Sequence, residues 1–349
     1  MALPNVSIII LNWNNWKDTI ECIESVFKIN YPNFDVILID NGSTNDSVWQ
    51  IKQYFSMFNG KKEVVLDDTS LQNLPNMIVL DLNSISAPIK KESGNKSFFF
   101  IETKKNLGFS EGNNVGIRLC CENFNPDYVL LLNNDVFVDP NFLKELVEAA
   151  ETFPNVGFVG PKVYYNNYHG RRDIINFAGA DIDFRHGNSV IYGLGQIDEG
   201  QLENKKIVDW VQGVCILVKT EVIKDIGLLD PVYFFYWEET DWCVRGKRSH
   251  WLSLYAPAAL IWHKGGMSSA TTMYTFELFY LTRNRLIFMK KNANIKTLIL
   301  FLFYYFGFEF VKICVSYTIH NNFTLLRMYL IANIKGLIGP ALLSYDYPG

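Results

Sequence analysis

Three short acidic and amide-rich clusters, each close behind an apolar or aromatic run, have residue types and spacing that suit chemistry. They begin at Asp40, Asn133 and Glu238. The runs before the first two, residues 36–39 and 128–132, are apolar and bounded by turn residues, which predicts buried strands of a parallel sheet. Open parallel sheets bind ligands beyond the carboxyl ends of their strands. The sequence therefore predicts that the clusters meet at one edge of a sheet and bind a ligand there.

The second cluster and a later histidine suit a metal ion. Asn133 and Asp135 are two positions apart at the end of a predicted strand, so their side chains project to the same side. Two oxygen ligands so placed suit Mg²⁺ or Mn²⁺ that also holds substrate phosphates, although Asn and Asp are equally favoured in simple turns. His263 follows another apolar run and precedes Gly265. We interpret it as a further metal ligand, with a core or surface histidine as the alternative.

The third cluster suits a catalytic base. Glu238, Glu239 and Asp241 lie within four residues, directly after the aromatic run 233–237. Crowding of like charges raises the pKa of at least one carboxyl group and prepares it to accept a proton. The ring of Trp237 would supply a stacking wall for an acceptor sugar. The alternative is a solvated helix N-terminus, where acidic residues are favoured by the helix dipole.

Composition narrows the class of protein. The chain has 349 residues and a formal net charge of −4, so it lacks the basic footprint of a nucleic-acid-binding protein. It contains neither a G-x-G-x-x-G motif nor a P-loop lysine, which disfavours dinucleotide oxidoreductases and P-loop kinases. Its six cysteines form no C-x-x-C pair, and the apolar run 6–11 is too short for a secretion signal. We therefore expect a cytoplasmic protein with reduced thiols.

Alternating strand and helix patterns predict an α/β fold that starts with a β-α-β unit. A polar stretch, residues 60–96, interrupts the pattern and is interpreted as an insertion with a strand at 77–82. Beyond residue 157, short strands punctuated by glycine indicate a second half of mixed strand direction. The elements expected are strands at 6–11, 36–39, 98–102, 128–132, 157–163 and 208–219, and helices at 16–27, 112–121, 140–153 and 275–290.

The stretch 298–319 bears on location. It is nearly as long as the ~20 apolar residues of a membrane-spanning helix, but Glu309 and Lys312 in its middle make insertion costly. We expect a helix that lies in the membrane interface, with Phe and Tyr rings at headgroup level and basic residues near anionic lipid. The alternatives are a helix buried against the rest of the chain, a helix in a homodimer interface, and a true span.

Seven motifs in order resemble glycosyltransferase family 2, in its rhamnosyltransferase-like branch. The resemblance covers residues 6–290. It implies a GT-A fold with a mostly parallel central sheet flanked by helices, in which residues 1–265 form the nucleotide-sugar glycosyltransferase domain and residues 266–349 form a helical, membrane-associating region. The motifs are residues 6–14, 39–44, 106–109, 113–114, 131–135 and 237–241 together with His263, and Arg283 and Asn284 follow them.

The resemblance also implies roles for single residues. The segment at 133–135 matches the metal-binding D-x-D motif, with Asp135 as the dependable ligand and Asn133 in place of the first Asp. His263 matches a metal-ligating histidine, and Glu239 matches the catalytic base, with Glu in place of the commoner Asp. Glu238 or Asp241 would support the base. The residues placed at or near the nucleoside are Asn12, Asp40, Asn113 and Asn114.

The activity implied is an inverting transfer of a sugar, rhamnose among the candidates, from a dTDP- or UDP-sugar. The acceptor would be a hydroxyl of a glycan or lipid-linked acceptor in cell-surface polysaccharide synthesis, on the inner face of the cell membrane. One alternative is another nucleotide-dependent transferase, such as a nucleotidyltransferase, for which the first β-α turn offers only Lys17 as a cation. The other is a non-catalytic, glycan-binding scaffold.

Overall fold

The computed structural model describes residues 3–59, 75–80, 96–265 and 271–339. Most of the predicted insertion lies outside the described residues. The strands are β1 Val6–Asn12, β2 Phe34–Asp40, β3 Met77–Leu80, β4 Phe98–Glu102, β5 Tyr128–Asn133, β6 Val136–Val138, β7 Val156–Tyr165, β8 Ile175–Phe177, β9 Ala180–Asp183, β10 Asn188–Ile191, β11 Lys206–Val208, β12 Cys215–Lys219 and β13 Leu252–His263. The helices are α1 Trp16–Phe27, α2 Ser47–Asn59, α3 Gly108–Asn123, α4 Phe142–Ala150, α5 Thr220–Ile226, α6 Glu238–Arg248, α7 Thr271–Asn292, α8 Ile295–Tyr304, α9 Phe310–Ile319 and α10 Phe323–Ile338.

The first half of the chain forms a parallel sheet in the order β3-β4-β2-β1-β5. Its central strands consist largely of Ile, Leu, Val and Phe and are buried on both faces, as parallel strands covered by helices must be. The register sets Asn12 opposite Asp40 and Leu11 opposite Asn133. The polar residues that end β1, β2 and β5 therefore reach the same edge of the sheet, as predicted.

The second half continues the same sheet with mixed strand direction, which confirms that prediction. Strand β12 is antiparallel to β5 and β7, and β13 is parallel to β7 but antiparallel to β6. The pairing of β13 with β6 sets His263 opposite Val136. The single strand expected at 208–219 is wrong, because a loop around Gly213 separates β11 from β12. Helix α2 and most of β13 were not predicted.

The chain ends in a helical region. Helix α10 packs along α7, and residues Ile295–Ile319 form one continuous helix in which a π-helical segment, Tyr305–Glu309, joins α8 to α9. Phe301 and Tyr305 are buried, but only 11% of the most apolar window is, and no residue of α9 is. The alternative of a helix buried against the rest of the chain is therefore wrong for most of this segment.

Candidate active site

Asn12 and Asp40 are joined in one buried hydrogen-bond network at the ends of β1 and β2. The Asn12 amide donates to Asp40 over 2.7 Å, and Asp40 also accepts from the backbone N–H and the hydroxyl of Ser43 over 2.9 and 2.7 Å. Asn134 donates to Thr19 Oγ1 over 2.8 Å and so extends the network to α1. These contacts fix the shape of the loop after β2. They leave the side chain of Asp40 almost fully enclosed.

Asn41 fixes the glycine-containing turn at the start of α3. Its side-chain oxygen accepts from the Leu107 N–H over 3.0 Å, and its amide donates to the Gly108 carbonyl over 3.1 Å. Gly108 has a φ of 78°, and a side chain there would come within 2.5 Å of the Phe234 ring. The Phe109 N–H donates to the Phe234 carbonyl over 2.6 Å. This corner therefore requires glycine and brings α3 against the loop that precedes α6.

Asn113 and Asn114 are buried on α3 with their amides occupied inside the protein. Asn113 donates to the Phe109 carbonyl over 2.9 Å. Asn114 donates to the Leu229 carbonyl over 2.9 Å and accepts from the Leu229 N–H over 3.1 Å. Asn114 therefore replaces a missing backbone partner for the segment after α5. The geometry gives both residues a positioning role at the nucleotide side of the sheet.

Asp135 and His263 come together as predicted. Asp135 Oδ1 lies 3.3 Å from His263 Nε2, and the Lys264 N–H donates to the Asp135 carbonyl over 2.9 Å. Burial raises the pKa of Asp135, but the His263 ring and the nearby Lys264 cation outweigh burial and hold that pKa below its usual value. Asp135 is therefore a carboxylate at neutral pH. Asn133, the last residue of β5, is only partly buried beside them.

The pair of side chains fits a divalent metal ion. Asp135 Oδ1 and His263 Nδ1 are buried without a hydrogen-bond partner in the part of the chain that the structure describes. A side chain on Gly265 would lie 2.5 Å from His263 Nε2 and 2.9 Å from Asp135 Oδ2, so glycine keeps the space beside both groups open. No group of three or more His, Cys, Asp or Glu side chains suited to a metal occurs among the described residues. Two protein ligands leave the other positions to substrate oxygens and water.

Glu238 and Glu239 are adjacent carboxyl groups in the first turn of α6. Burial raises the pKa of Glu239 to about 6, although the N–H groups of Thr240 and Gly213 partly offset that effect. Burial and the neighbouring charge of Glu239 raise the pKa of Glu238 well above its ordinary value. Oε2 of each residue is buried without a hydrogen-bond partner among the described residues. Glu239 therefore has the pKa and the free oxygen of a general base near neutral pH.

Asp241 differs from the two glutamates because its carboxylate is fully used inside the protein. It is buried, and it accepts from the Tyr233 hydroxyl over 2.9 Å, from Arg245 over 2.8 Å and from the Asn292 amide over 2.8 Å. Burial raises its pKa, but the cations of Lys291 and Arg245 outweigh burial and hold it below its usual value. Asp241 therefore connects α6 to the end of α7 and holds Glu239 in place from behind.

Glu239 lies in the wall of a cavity of about 420 Å³. Trp237, which was predicted to contact the acceptor, is part of the same wall and rests against Phe288, with ring centroids 4.8 Å apart. Among the described residues that line this cavity, Glu239 is the only charged one. Aromatic rings, amides and a single carboxylate suit a neutral sugar. The lining residues are Asn188, Ser189, Ile191, Trp210, Gln212, Tyr236, Trp237, Glu239, Thr240 and Leu281.

A larger cavity, of about 560 Å³, is lined by Trp262, Arg172 and other residues, none of them acidic. Successive side chains of a strand point to opposite faces of a sheet, so Trp262 faces away from His263. We therefore assign the chemistry to the smaller cavity.

The loop before β12 connects the carboxylate cavity to the Asp135–His263 pair. The Asn133 N–H donates to the Val214 carbonyl over 2.9 Å. One residue earlier, a side chain on Gly213 would lie 3.7 Å from Glu239 Cβ and 3.5 Å from the Phe109 ring. The end of β5 and the start of α6 are therefore one short loop apart. The three clusters predicted from the sequence lie at one edge of the sheet.

The turn that presents Trp237 is strained. Phe234, Tyr236 and Trp237 have φ values of 62°, 67° and 77°, a region that side chains other than glycine rarely adopt. Residues held in such conformations cost about 1–3 kcal/mol each and persist only where their surroundings fix them. The strain is concentrated on the residues that carry the cavity wall into α6.

Asn284 of α7 holds this turn. It is fully buried, and its amide nitrogen lies 2.8 Å from the carbonyl oxygens of Tyr233, Phe235 and Tyr236. Sequence analysis included Asn284 in a motif but gave it no role. No local signal could have supplied one, because its partners are about fifty positions earlier in the chain.

We expect Asn284→Ala to destabilise the protein by more than a surface change would. Each buried polar group left without a partner costs about 1–3 kcal/mol, and this substitution frees three carbonyls at a strained turn. Urea denaturation followed by circular dichroism measures the free energy of unfolding. Asn30→Ala, which removes one exposed hydrogen bond to Asn141, is the matched control. Equal effects of the two changes would contradict the role given to Asn284.

Comparison with known proteins places this geometry in a family. The family described as glycosyltransferase like family 2 matches residues 99–284, and the glycosyl transferase family 2 description matches residues 7–69. The chain is 25% identical over 222 residues to the low-salt glycan biosynthesis hexosyltransferase Agl10 of Haloferax volcanii, covering 62% of each chain. It is 28% identical over 149 residues to the N-acetylglucosaminyl-diphospho-decaprenol L-rhamnosyltransferase of Mycobacterium tuberculosis, covering 39% of this chain and 47% of that protein.

The chain thus matches less than two thirds of the length of either relative. Among solved structures, the mannosyltransferase PcManGT of Pyrobaculum calidifontis, in complex with GDP-Man and Mn²⁺, superimposes with a TM-score of 0.54. It is 11% identical, and the match covers 97% of this chain and 88% of that one. At that identity the likeness concerns the fold, and it confirms the predicted GT-A architecture with its C-terminal helices. The first of the family descriptions alone spans more than half of the chain, and the chain therefore belongs to glycosyltransferase family 2.

Proposed function

We propose that the protein is an inverting glycosyltransferase that moves a sugar from a nucleoside-diphosphate donor to a hydroxyl group of a glycan or lipid-linked acceptor. The observation that carries this proposal is Glu239, whose free, buried carboxylate oxygen faces a neutral, aromatic-lined cavity. Screening UDP-, dTDP- and GDP-sugars for turnover tests it. Release of a nucleoside diphosphate would support the proposal. Release of inorganic diphosphate would indicate a nucleotidyltransferase, and the absence of turnover on every donor would favour a glycan-binding scaffold.

Glu239 would act as the base. With a pKa of about 6 it is mostly deprotonated at neutral pH and can still accept a proton when an acceptor hydroxyl attacks the anomeric carbon. The new glycosidic bond forms on the face opposite the departing diphosphate, so the configuration at that carbon inverts. Glu238 adds negative charge beside Glu239 without an exposed route to the acceptor. Asp241 and Asn284 hold the two ends of the segment that carries them.

Asp135 and His263 would hold a divalent cation, Mg²⁺ or Mn²⁺, with Asn133 as a neutral neighbour. Such an ion, when bound, supplies Lewis-acid stabilisation of the leaving diphosphate. The structural neighbour above was solved with Mn²⁺, which agrees with this assignment. Lys264 is engaged with Asp18, 2.6 Å away, and with Glu21. It therefore holds the end of β13 against α1.

The donor would be a dTDP- or UDP-sugar, with rhamnose the favoured sugar. Support comes from the mycobacterial relative, which is named as a rhamnosyltransferase acting on N-acetylglucosaminyl-diphospho-decaprenol. The nucleoside would lie at the carboxyl ends of β1 and β2, where Asn12 and Asp40 shape the loop through Ser43. Synthesis of a cell-surface polysaccharide is the process that such a donor and acceptor imply.

The C-terminal helices would place the enzyme on the inner face of the membrane. The segment Ile295–Ile319 is long and apolar enough to cross a membrane, but Glu309 is paired inside the protein. Its outward face carries exposed Phe303, Phe308 and Ile319, with exposed Lys296 nearby. An apolar face flanked by basic residues suits a helix lying in the headgroup region. We propose residues 1–265 as the catalytic part and residues 266–349 as the membrane-associating part, with α7 contributing Asn284 to the former.

We expect the double change Phe303→Glu and Phe308→Glu to release the protein from vesicles that contain anionic lipid. Both rings are largely exposed, so their loss removes lipid contact without opening a core. Sedimentation with liposomes measures binding. Trp49→Glu, which alters an equally exposed ring on α2, is the control and should sediment like the wild type. A wild-type protein that stays in the supernatant as a stable dimer would favour a homodimer interface instead.

A further inference from the structure

The hairpin of β9 and β10 forms one wall of the acceptor cavity. Asn188, Ser189 and Ile191 of β10 line that cavity together with Glu239. The strands of the hairpin pair only with each other in a two-stranded sheet, apart from an isolated bridge between Ala180 and residue 210. A short hairpin outside the main sheet needs contacts from elsewhere to hold its position. Those contacts lie at its tip.

Arg285 of α7 grips the tip of this hairpin. Its guanidinium donates to the carbonyl of His186, and the ring of His186 packs against Tyr304 of α8 with centroids 4.6 Å apart. The neighbouring Gly187 has a φ of 65°, and a side chain there would come within 2.8 Å of the Phe301 ring. The hairpin tip is thus seated directly on α7 and α8.

The same guanidinium forms a two-point ion pair with Glu309. Nη2 lies 2.8 Å from Glu309 Oε2, and Nη1 is paired with the other carboxylate oxygen. Both side chains are largely buried, with exposed fractions of 12% and 20%. The rings of Phe301 and Tyr305 lie 5.6 and 5.0 Å from the guanidinium carbon. A planar, forked cation is the one side chain that can satisfy a carboxylate and a carbonyl at once in this setting.

The local helix geometry at this ion pair is unusual. Residues Tyr305–Glu309 form a π-helical segment inside an otherwise α-helical stretch. Such segments are rare and are frequently found at functional sites. Here the π-helical segment ends at Glu309, the residue that reaches Arg285 from an otherwise apolar helix.

We propose that Arg285 is a positioning residue for the acceptor. It ties the β9–β10 hairpin to the apolar C-terminal helix and so sets the width of the acceptor side of the cavity. This proposal rests on the proposed function for its kinetic meaning. It depends on no residue at the nucleotide or metal side, so its effect should fall on acceptor binding rather than on donor binding. It also explains why a charged pair persists in a segment whose outward face is apolar.

The test measures hairpin dynamics and kinetics separately in the full-length protein. In Arg285→Gln, hydrogen–deuterium exchange of the peptides that cover residues 180–191 should rise about tenfold, since a hydrogen bond to a charged group contributes about 1.5–3 kcal/mol. KM for a lipid-linked N-acetylglucosaminyl diphosphate should rise by a similar factor, with KM for the nucleotide-sugar changed less than twofold. Glu309→Gln keeps the bond to His186 and should show a smaller effect. Arg171→Gln, which removes an exposed pair with Asp173, is the control.

Several outcomes would overturn the proposal. One is unchanged exchange of the hairpin in Arg285→Gln, and another is an equal rise in KM for donor and acceptor, which would indicate a general structural role. If Arg285→Gln fails to fold, Arg285→Lys, which keeps the charge but loses the fork, provides the same two readouts. The exchange measurement needs no turnover, so it stays informative if the proposed transferase activity fails on every donor.

Discussion

Glu239→Gln should abolish sugar transfer while the protein still binds its donor. The substitution keeps the shape of the side chain and removes its ability to accept a proton. A positioned general base contributes about 10²–10⁴-fold to rate, and we expect a loss in that range. Transfer assays measure turnover, and isothermal titration with the nucleotide-sugar measures donor binding. A fall in donor affinity as large as the fall in rate would contradict the role of base.

The pH dependence of transfer gives the same assignment an independent readout. Burial raises the pKa of Glu239 to about 6, and only the deprotonated form accepts a proton. The rate at limiting acceptor concentration should therefore fall as the pH drops through about 6, and it should be flat with respect to this group above about 7. Asp241→Asn is the matched control within the cluster. Since Asp241 is engaged with Arg245 and Asn292, we expect its loss to lower stability and to leave the position of the acidic limb unchanged.

The sequence predicted those parts of the fold where local pattern and burial agree. β1, β2, β4 and β5 are short apolar runs that end in turn residues, and each was recognised because a strand buried on both faces has no polar alternation to confuse it. Helix α1 was predicted with its observed bounds, Trp16–Phe27. Pairing of the strands in register then brought Asn12, Asp40 and Asn133 to one edge.

The parts that were missed depend on contacts between distant residues. Strand β13 was overlooked over most of its length because Pro257 and a run of alanines weaken its strand signal, while its pairing with β7 and β6 stabilises it. Spacing in the sequence could not show that Asp241 is saturated and Glu239 is free. That difference is produced by Arg245, Asn292 and the loop at Gly213, none of which belongs to the motif.

The apolar C-terminal segment illustrates the same limit. Composition alone left open whether residues 298–319 are buried, interfacial or spanning, because Glu309 carries a charge whose partner is invisible in the sequence. The structure supplies Arg285 as that partner. A paired carboxylate on the inner side and exposed rings such as Phe303 on the outer side separate the two faces of one helix. The segment is therefore amphipathic in three dimensions although its sequence is almost uniformly apolar.

Asp135→Ala should remove metal binding and nearly all transfer while leaving the fold intact. The fold should survive because Asp135 Oδ1 has no hydrogen-bond partner in the described part of the chain, so little protein structure depends on it. A Lewis acid at the leaving group contributes several kcal/mol, and each 1.4 kcal/mol is tenfold in rate, so we expect transfer to fall roughly 10²–10³-fold. Titration with Mn²⁺ followed by electron paramagnetic resonance measures the metal site directly, without turnover.

The control for this change is Asp46→Ala, which removes an exposed carboxylate in the first half of the chain and should leave Mn²⁺ affinity unchanged. His263→Ala should weaken Mn²⁺ binding as well, because the described residues offer only these two side chains, 3.3 Å apart, beside the opening that Gly265 leaves. Full activity of the wild type in excess EDTA would contradict the metal assignment. In that event Asp135 and His263 would act as a hydrogen-bonded pair, and the leaving diphosphate would need its charge neutralised by cations of the protein itself. Lys264, which is engaged with Asp18 and Glu21, is poorly placed to serve as one of them.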